Sequence, residues 1–294
     1  MKFTARAAIA ALIAITATGP ALVPLAGPAL ASSTPPAAAR GLLGTWANTD
    51  PATRDVRDIV VTAKARGIMV DAFASCTPKS CEWGKIPGTV FGADVNSVTG
   101  HSLEANWDFR FVRDVFLATL TRPRGVPTLV VKEFKTFVDP GSRANYAKVE
   151  TFVRAGHPII PALSGKAGHG YPAGHWVKPV PSLRGTWKST SARGGIRKIV
   201  LSRNRNGSLR VHVFGRCGLS LCSLGTVQGI TFGENIASVS GRKFLAPYTF
   251  GFKKNLLSGW ANKAGTILTV ESSSEFTDTS GRSNYVFTET FSRR

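Results

Sequence analysis

Several residue types are scarce in this 294-residue chain. Acidic residues number 17 against 37 lysines and arginines, a formal net charge of +20. There are five histidines, four cysteines and two methionines. Beyond the N-terminal segment, no apolar run approaches the roughly 20 residues of a membrane helix. No stretch keeps a helical period over three turns. G-x-S-x-G, H-E-x-x-H, P-loop and dinucleotide fingerprints are all missing. These absences leave no catalytic residue to nominate and no cofactor to expect. His157, His169 and His175 fall in a Gly/Pro-rich stretch without fixed geometry, so no metal site is expected.

The N-terminus reads as an export signal over residues 1–31. Lys2 and Arg6 precede the apolar run Ala7 to Thr18, and Ala29-Leu30-Ala31 forms an A-x-A cleavage site. Pro20, Pro24 and Pro28 argue against a spanning helix, each costing a helix interior ~3 kcal/mol. Residues 32–40 form a flexible arm. The chain is therefore expected to be secreted and extracellular, with no transmembrane segment after cleavage. Export permits disulfides. Cys76/Cys81 and Cys217/Cys222 fall in two equally spaced pairs. C-x4-C is not a common zinc spacing, and no histidine lies near either pair.

The rest of the chain repeats itself. Gly44-Thr45-Trp46 returns as Gly185-Thr186-Trp187, and both cysteine pairs follow their Trp at the same distance. Trp107-Asp108-Phe109-Arg110-Phe111 matches Tyr248-Thr249-Phe250-Gly251-Phe252. An Asp-x-x-Gly-Arg turn precedes Asn-Tyr in both copies, with Asp139 and Arg143 in one and Asp278 and Arg282 in the other. Each copy closes on Glu-Thr-Phe-x-Arg, ending at Arg154 and Arg293. The repeats span 41–155 and 182–294, joined by a Pro/Gly/His-rich linker at 156–181. Four cysteines allow three connectivities, and the repeat selects the local one.

Within each copy the period is two. Ile59 and Val61, Ile68 to Ala72, Leu209 to Val213 and Tyr285 to Phe291 alternate or run as strands, with Gly-containing turns between them. Closely spaced strands in a domain of this size predict an all-β fold, an antiparallel meander closed into a barrel of about eight strands. Gly-x-Trp at the first strand, with Arg just after the last, resembles the calycin superfamily of lipocalins, avidins and fatty-acid-binding proteins. The resemblance implies two tandem barrels, with Trp46 and Trp187 plugging one end of each and Arg154 and Arg293 lying across those rings. Neither the further lipocalin signature nor a set of biotin contacts is present, so the ligand class stays open.

Candidate contacts fall in three groups. The first disulfide loop carries Lys79, Glu82 and Trp83 and offers a recognition tip, or a clipped hairpin whose Trp covers the wall. Trp107, Phe109 and Tyr248 belong to three-residue aromatic ladders that either line a cavity or fill a core. In the second copy Arg197, Lys198, Arg203 and Arg205 belong to a strongly basic sequence. That copy has 17 basic and five acidic residues, against 15 and 12 in the first. The Asp-to-Arg turns and the Trp/Arg pairs are expected to be structural.

These readings predict a non-enzymatic secreted binding protein. Its basic second repeat would hold an anionic extracellular polymer or surface, and its first repeat would make the more specific contact. The partner would be such a polymer or a secreted protein; nucleic acid is not expected outside the cell. The alternatives are an inhibitor of an extracellular hydrolase acting through rigid disulfide loops, and an enzyme with its site at a barrel mouth.

Overall fold

The computed structural model describes residues 39–65, 67–76, 80–139, 143–156, 177–191 and 194–293. The segment expected to be an export signal, most of the expected N-terminal arm, Lys79, and His157, His169 and His175 of the expected linker lie outside the described residues. Among the described residues no helix is long and apolar enough to cross a membrane.

Strands β1 (Gly44–Asn48), β2 (Val56–Lys64), β3 (Gly67–Ala74), β4 (Cys81–Glu82), β5 (Ile86–Phe91), β6 (Ser102–Asp108), β7 (Val112–Thr121), β8 (Thr128–Phe137) and β9 (Tyr146–Arg154) build the first copy. All of these pairings are antiparallel. β9 returns to β1 and closes an eight-stranded barrel, with β4 added beside β3. A two-residue β10 (Lys178–Pro179) leads into the second copy. There β11 (Gly185–Ser189), β12 (Ile196–Arg203), β13 (Leu209–Cys217), β14 (Ser220–Phe232), β16 (Lys243–Thr249), β17 (Lys253–Ala261), β18 (Ile267–Phe276) and β19 (Tyr285–Arg293) close a second barrel. The short β15 (Ser240–Gly241) pairs in parallel with β10. The fold is all-β, as the period-two patterning predicts.

The Gly-x-Trp motif has a steric reason. Trp46 and Trp187 are wholly buried and donate from Nε1 to the Leu42 and Leu183 carbonyls at 2.8 and 2.9 Å. Directly across the ladder, Arg154 and Arg293 lay their guanidinium groups 4.9 and 5.3 Å from the ring centroids. The arginines cross the glycines to get there. Gly185 has φ +132°, and a Cβ on it would lie 2.7 Å from the Arg293 guanidinium. Closing the barrel end with a ring under a cation therefore requires glycine two residues before the ring. Both disulfides are local, Cys76–Cys81 and Cys217–Cys222, with Cα atoms 5.5 and 5.6 Å apart. Both Asp–Arg turns close as ion pairs, Asp139–Arg143 at 2.5 Å and Asp278–Arg282 at 2.6 Å.

The aromatic ladders need correction. β6 ends at Asp108 and β16 at Thr249, and Phe109 and Phe250 donate backbone N–H across tight turns to Val112 and Lys253. The third rungs therefore sit at the barrel rim, with Phe111 and Phe252 48% and 44% exposed. Arg143 and Arg282 each lie 5.1 Å from these rings and also cover Phe137 and Phe276. The Asp-to-Arg turn and the outer Phe thus form one rim clasp, made twice.

The two barrels dock through a pseudo-twofold contact. Gly92 donates to the Asn284 carbonyl at 2.8 Å and accepts from Val286 at 3.0 Å, and Val95 accepts from Ser283 at 3.0 Å. The same three bonds recur with Gly233, Asn145, Ala147, Ile236 and Ala144 at 2.9, 3.0 and 2.9 Å. Lys132 and Glu271 occupy equivalent places on β8 and β18, and they meet at 2.6 Å. An apolar cluster of Leu117, Phe134, Ala147, Phe232 and Leu245 completes the contact.

Candidate functional site: a cavity in the second barrel

Strand register aligns the interiors of the two barrels position by position. In barrel one the wall residues Leu129 and Val131 continue inward as Glu133 and Lys135. Facing them are Asp114 on β7 and Lys148 and Glu150 on β9, with Asp55 just before β2. Lys135 contacts Glu133 at 2.5 Å, Asp114 at 2.9 Å and Asp55 at 3.5 Å. Lys148 contacts Asp55 at 2.5 Å, Glu133 at 2.8 Å and Glu150 at 3.0 Å. Four carboxylates thus share two ammonium groups in a largely water-free space. Desolvation raises Asp114 and Glu150 above the usual carboxylate range, and the neighbouring Glu133 carboxylate adds to it. Asp55 is held below its ordinary value; burial opposes that shift, and the two lysines overcome it.

Above the network sits Trp83. Gly84, at φ +90°, interrupts the strand after β4, and its carbonyl accepts the Trp107 Nε1 proton at 2.8 Å. Trp83 does not stand on an exposed tip. Its ring packs edge-on to Trp107 and Phe109 at 5.8 and 5.6 Å, touches Phe116 at 5.7 Å, and lies 4.5 Å below the Lys135 ammonium. Trp107 is 2% exposed and joins the same core. The first barrel is filled by these rings and ions.

The second barrel keeps the backbone and changes the filling. Asn255 stands for Asp114, Ser272 for Glu133, Ser274 for Lys135, Phe287 for Lys148, Gly195 for Asp55 and Leu224 for Trp83. Five of these six replacements remove charge, and most of them remove volume. The result is a cavity of about 320 Å³ lined by five of the six, all but Ser274, together with Ile196, Val213, Tyr248, Phe250, Phe252, Lys253, Leu257, Tyr285 and Glu289. Its wall is mostly apolar and aromatic with a few placed polar groups, the usual composition of a small-molecule site. Asn255 donates to Ser272 at 2.8 Å and accepts from Ser274, fixing one polar strip. Tyr248 spends its hydroxyl proton on the Val211 carbonyl at 2.8 Å and offers its ring.

Glu289 lies deepest in charge terms. Its Oε2 accepts from the Ile196 amide at 3.2 Å, and its Oε1 is buried without a partner. A Cβ on Gly194 would collide with this carboxyl group, so the loop passes close over it. Burial pushes its pKa up to about 7, against the opposing Ile196 amide hydrogen bond and the charge of Arg197.

The remaining sequence candidates scatter. Glu82 is exposed, and desolvation with the adjacent Glu82 carboxylate holds Asp71 above its ordinary value. Arg197 donates to the Ser191 carbonyl at 2.6 Å, and Lys198 packs 3.6 Å over Phe214. Arg205 is exposed on the turn beyond β12. Arg203 joins Lys178 and Arg184 along a surface groove of about 350 Å³ beside β10. At the second disulfide tip Leu219 is fully exposed and Leu221 is 52% exposed, while Leu224 turns into the barrel. Among the described residues no group of three or more His, Cys, Asp or Glu is arranged around a metal position. Of the cavity residues, the sequence offered the Tyr248, Phe250 and Phe252 ladder as a possible lining. Glu289 was visible as part of the closing Glu-Thr-Phe-x-Arg, two residues before the core Phe291 and so on the same face of the strand.

No family model matches this chain, and a search of the curated proteins finds no match.

Proposed function

We propose that the protein is an exported, non-enzymatic binding protein of calycin-like build, and that its second barrel holds a small ligand. The supporting observation is the cavity itself. Two barrels with one framework differ at six aligned inward positions, and the residues of the second leave about 320 Å³ open inside it. Burying an orphan carboxyl oxygen beside apolar walls costs free energy of folding, and a ligand site gives that cost a use. On this reading the more specific contact sits in copy two, and copy one docks against it through its outer wall. The signal-like N-terminus and two local disulfides support work outside the cell. The excess of cations in copy two supports retention on anionic extracellular polymers, with the Lys178, Arg184 and Arg203 groove as one contact.

Leu224→Trp installs the ring that fills barrel one and is expected to abolish binding of indole, a neutral aromatic probe, followed by ligand-observed NMR on the full chain. Indole binding that survives this substitution unchanged would remove the cavity as the site.

A further inference from the structure

We infer that the barrel-two cavity selects a small organic amine, with its ammonium group on Glu289 and its apolar or aromatic body against the cavity rings. The inference rests on the reading of this cavity as a ligand site and adds the chemistry of the ligand.

Three observations lead there. Glu289 is 4% exposed, lines the cavity, and has one carboxyl oxygen with no donor. Buried acceptors are satisfied in the great majority of cases, so a ligand donor completes this one. Barrel one shows the one charged donor this carboxyl position takes. Glu150 stands at the place of Glu289, and the Lys148 ammonium lies 3.0 Å from its Oε2, while Asn48 and Thr53 serve Oε1 at 3.3 and 3.4 Å. Barrel two puts Phe287 where Lys148 stands, so the carboxyl is kept while its built-in ammonium is removed and the space opens. Finally, the rings of Tyr248, Phe250 and Phe287 line the vacated space and offer π faces to a cation. Barrel one uses the same device, with the Lys135 ammonium 4.5 Å over Trp83.

Among the described residues the cations near the cavity are otherwise engaged. Lys253 reaches Ser274 at 3.5 Å and lies 5.7 Å from the Phe250 ring centroid. Arg197 donates to the Ser191 carbonyl. Neither contacts the buried, unpartnered Glu289 oxygen, and a ligand ammonium would meet the carboxyl group from the cavity side. Such an ammonium favours the ionised carboxyl, which burial alone disfavours.

The test is calorimetric titration of the full chain at pH 7.5 with tryptamine, its alcohol isostere tryptophol, and indole-3-propionate. Tryptamine is expected to bind about tenfold or more tightly than tryptophol, the scale of a charge-assisted bond over a neutral one, and the propionate most weakly. Glu289→Gln should bring tryptamine down to the level of tryptophol. Phe287→Lys, which restores the pairing of barrel one, should also remove the preference. Equal affinity for amine and alcohol in the unsubstituted chain, or a preference that survives Glu289→Gln, overturns the amine assignment and leaves the cavity as a ligand site. Absence of binding by all three overturns the cavity reading itself. The three-ligand comparison depends on no variant folding.

Discussion

A single side chain, Lys135, shows why the barrel-one interior is stable with so much charge inside it. Its ammonium touches Glu133, Asp114 and Asp55 and covers the Trp83 ring, with only 11% of the side chain exposed. Paired buried charges roughly break even against apolar residues, whereas a charge that has lost its partner is costly. Lys135→Met is therefore expected to destabilise the protein by about 3–5 kcal/mol in denaturant unfolding. Replacing Asp114, Glu133 and Lys135 together by Asn, Ser and Ser, the residues barrel two carries there, should cost clearly less than Lys135→Met alone. A triple variant less stable than the single one would contradict this account of the network.

At the scale of elements, the first-to-second-disulfide comparison separates framework from function. The β13–β14 hairpin carries Cys217–Cys222 at its tip, while Leu224 sits within a register shift, just before the positive-φ Gly225, and packs into the barrel core. The tip and the cavity wall are thus on one hairpin, and the irregularity lies at the wall. Replacing Cys217 and Cys222 by Ser should lower stability by about 2 kcal/mol, the loop-closure value for so short a ring. Indole affinity should stay within about twofold, since a small stability change confined to the tip leaves the wall in place. A large loss of binding would show instead that the tip belongs to the site. The strands themselves were legible from alternation alone. The ends of β6 and β16 were not, because a run such as Trp-x-Phe-x-Phe keeps its period whether or not the chain turns after the second ring.

For the molecule as a whole, the decisive contact is the pseudo-twofold docking of one barrel on the other. Lys132 and Glu271 are the same position in two copies, so the axis passes between a cation and an anion. An identical pair of chains would place like charges there. Opposite charges at this point favour association within the chain over association between two first or two second repeats. Lys132→Glu should cost about 3–5 kcal/mol, since both side chains are largely buried. The charge-swapped double variant Lys132→Glu/Glu271→Lys should recover most of that loss in thermal unfolding. A double variant as unstable as the single one would remove the ion pair from the docking. Trp260, whose ring lies 4.2 Å from the Lys132 ammonium, sets the limit of recovery, because its face is then turned to a carboxylate.

The amino-acid sequence by itself determined the number of barrels, the Trp and Arg closures, the disulfide pairing and the Asp-to-Arg turns. Each of these rests on local alternation or on identities repeated within the chain. Only the tertiary structure decided which barrel is open. Glu133, Lys135 and Lys148 are charged residues on strands, which in a linear reading belong to the solvent face; closure of the sheet turns them inward, where they satisfy one another across β7, β8 and β9. Filling is a sum of volume and charge over residues distant in sequence, so it has no local signature. The same holds for Glu289, whose meaning depends on the ammonium that stands beside Glu150 in one barrel and is missing from the other.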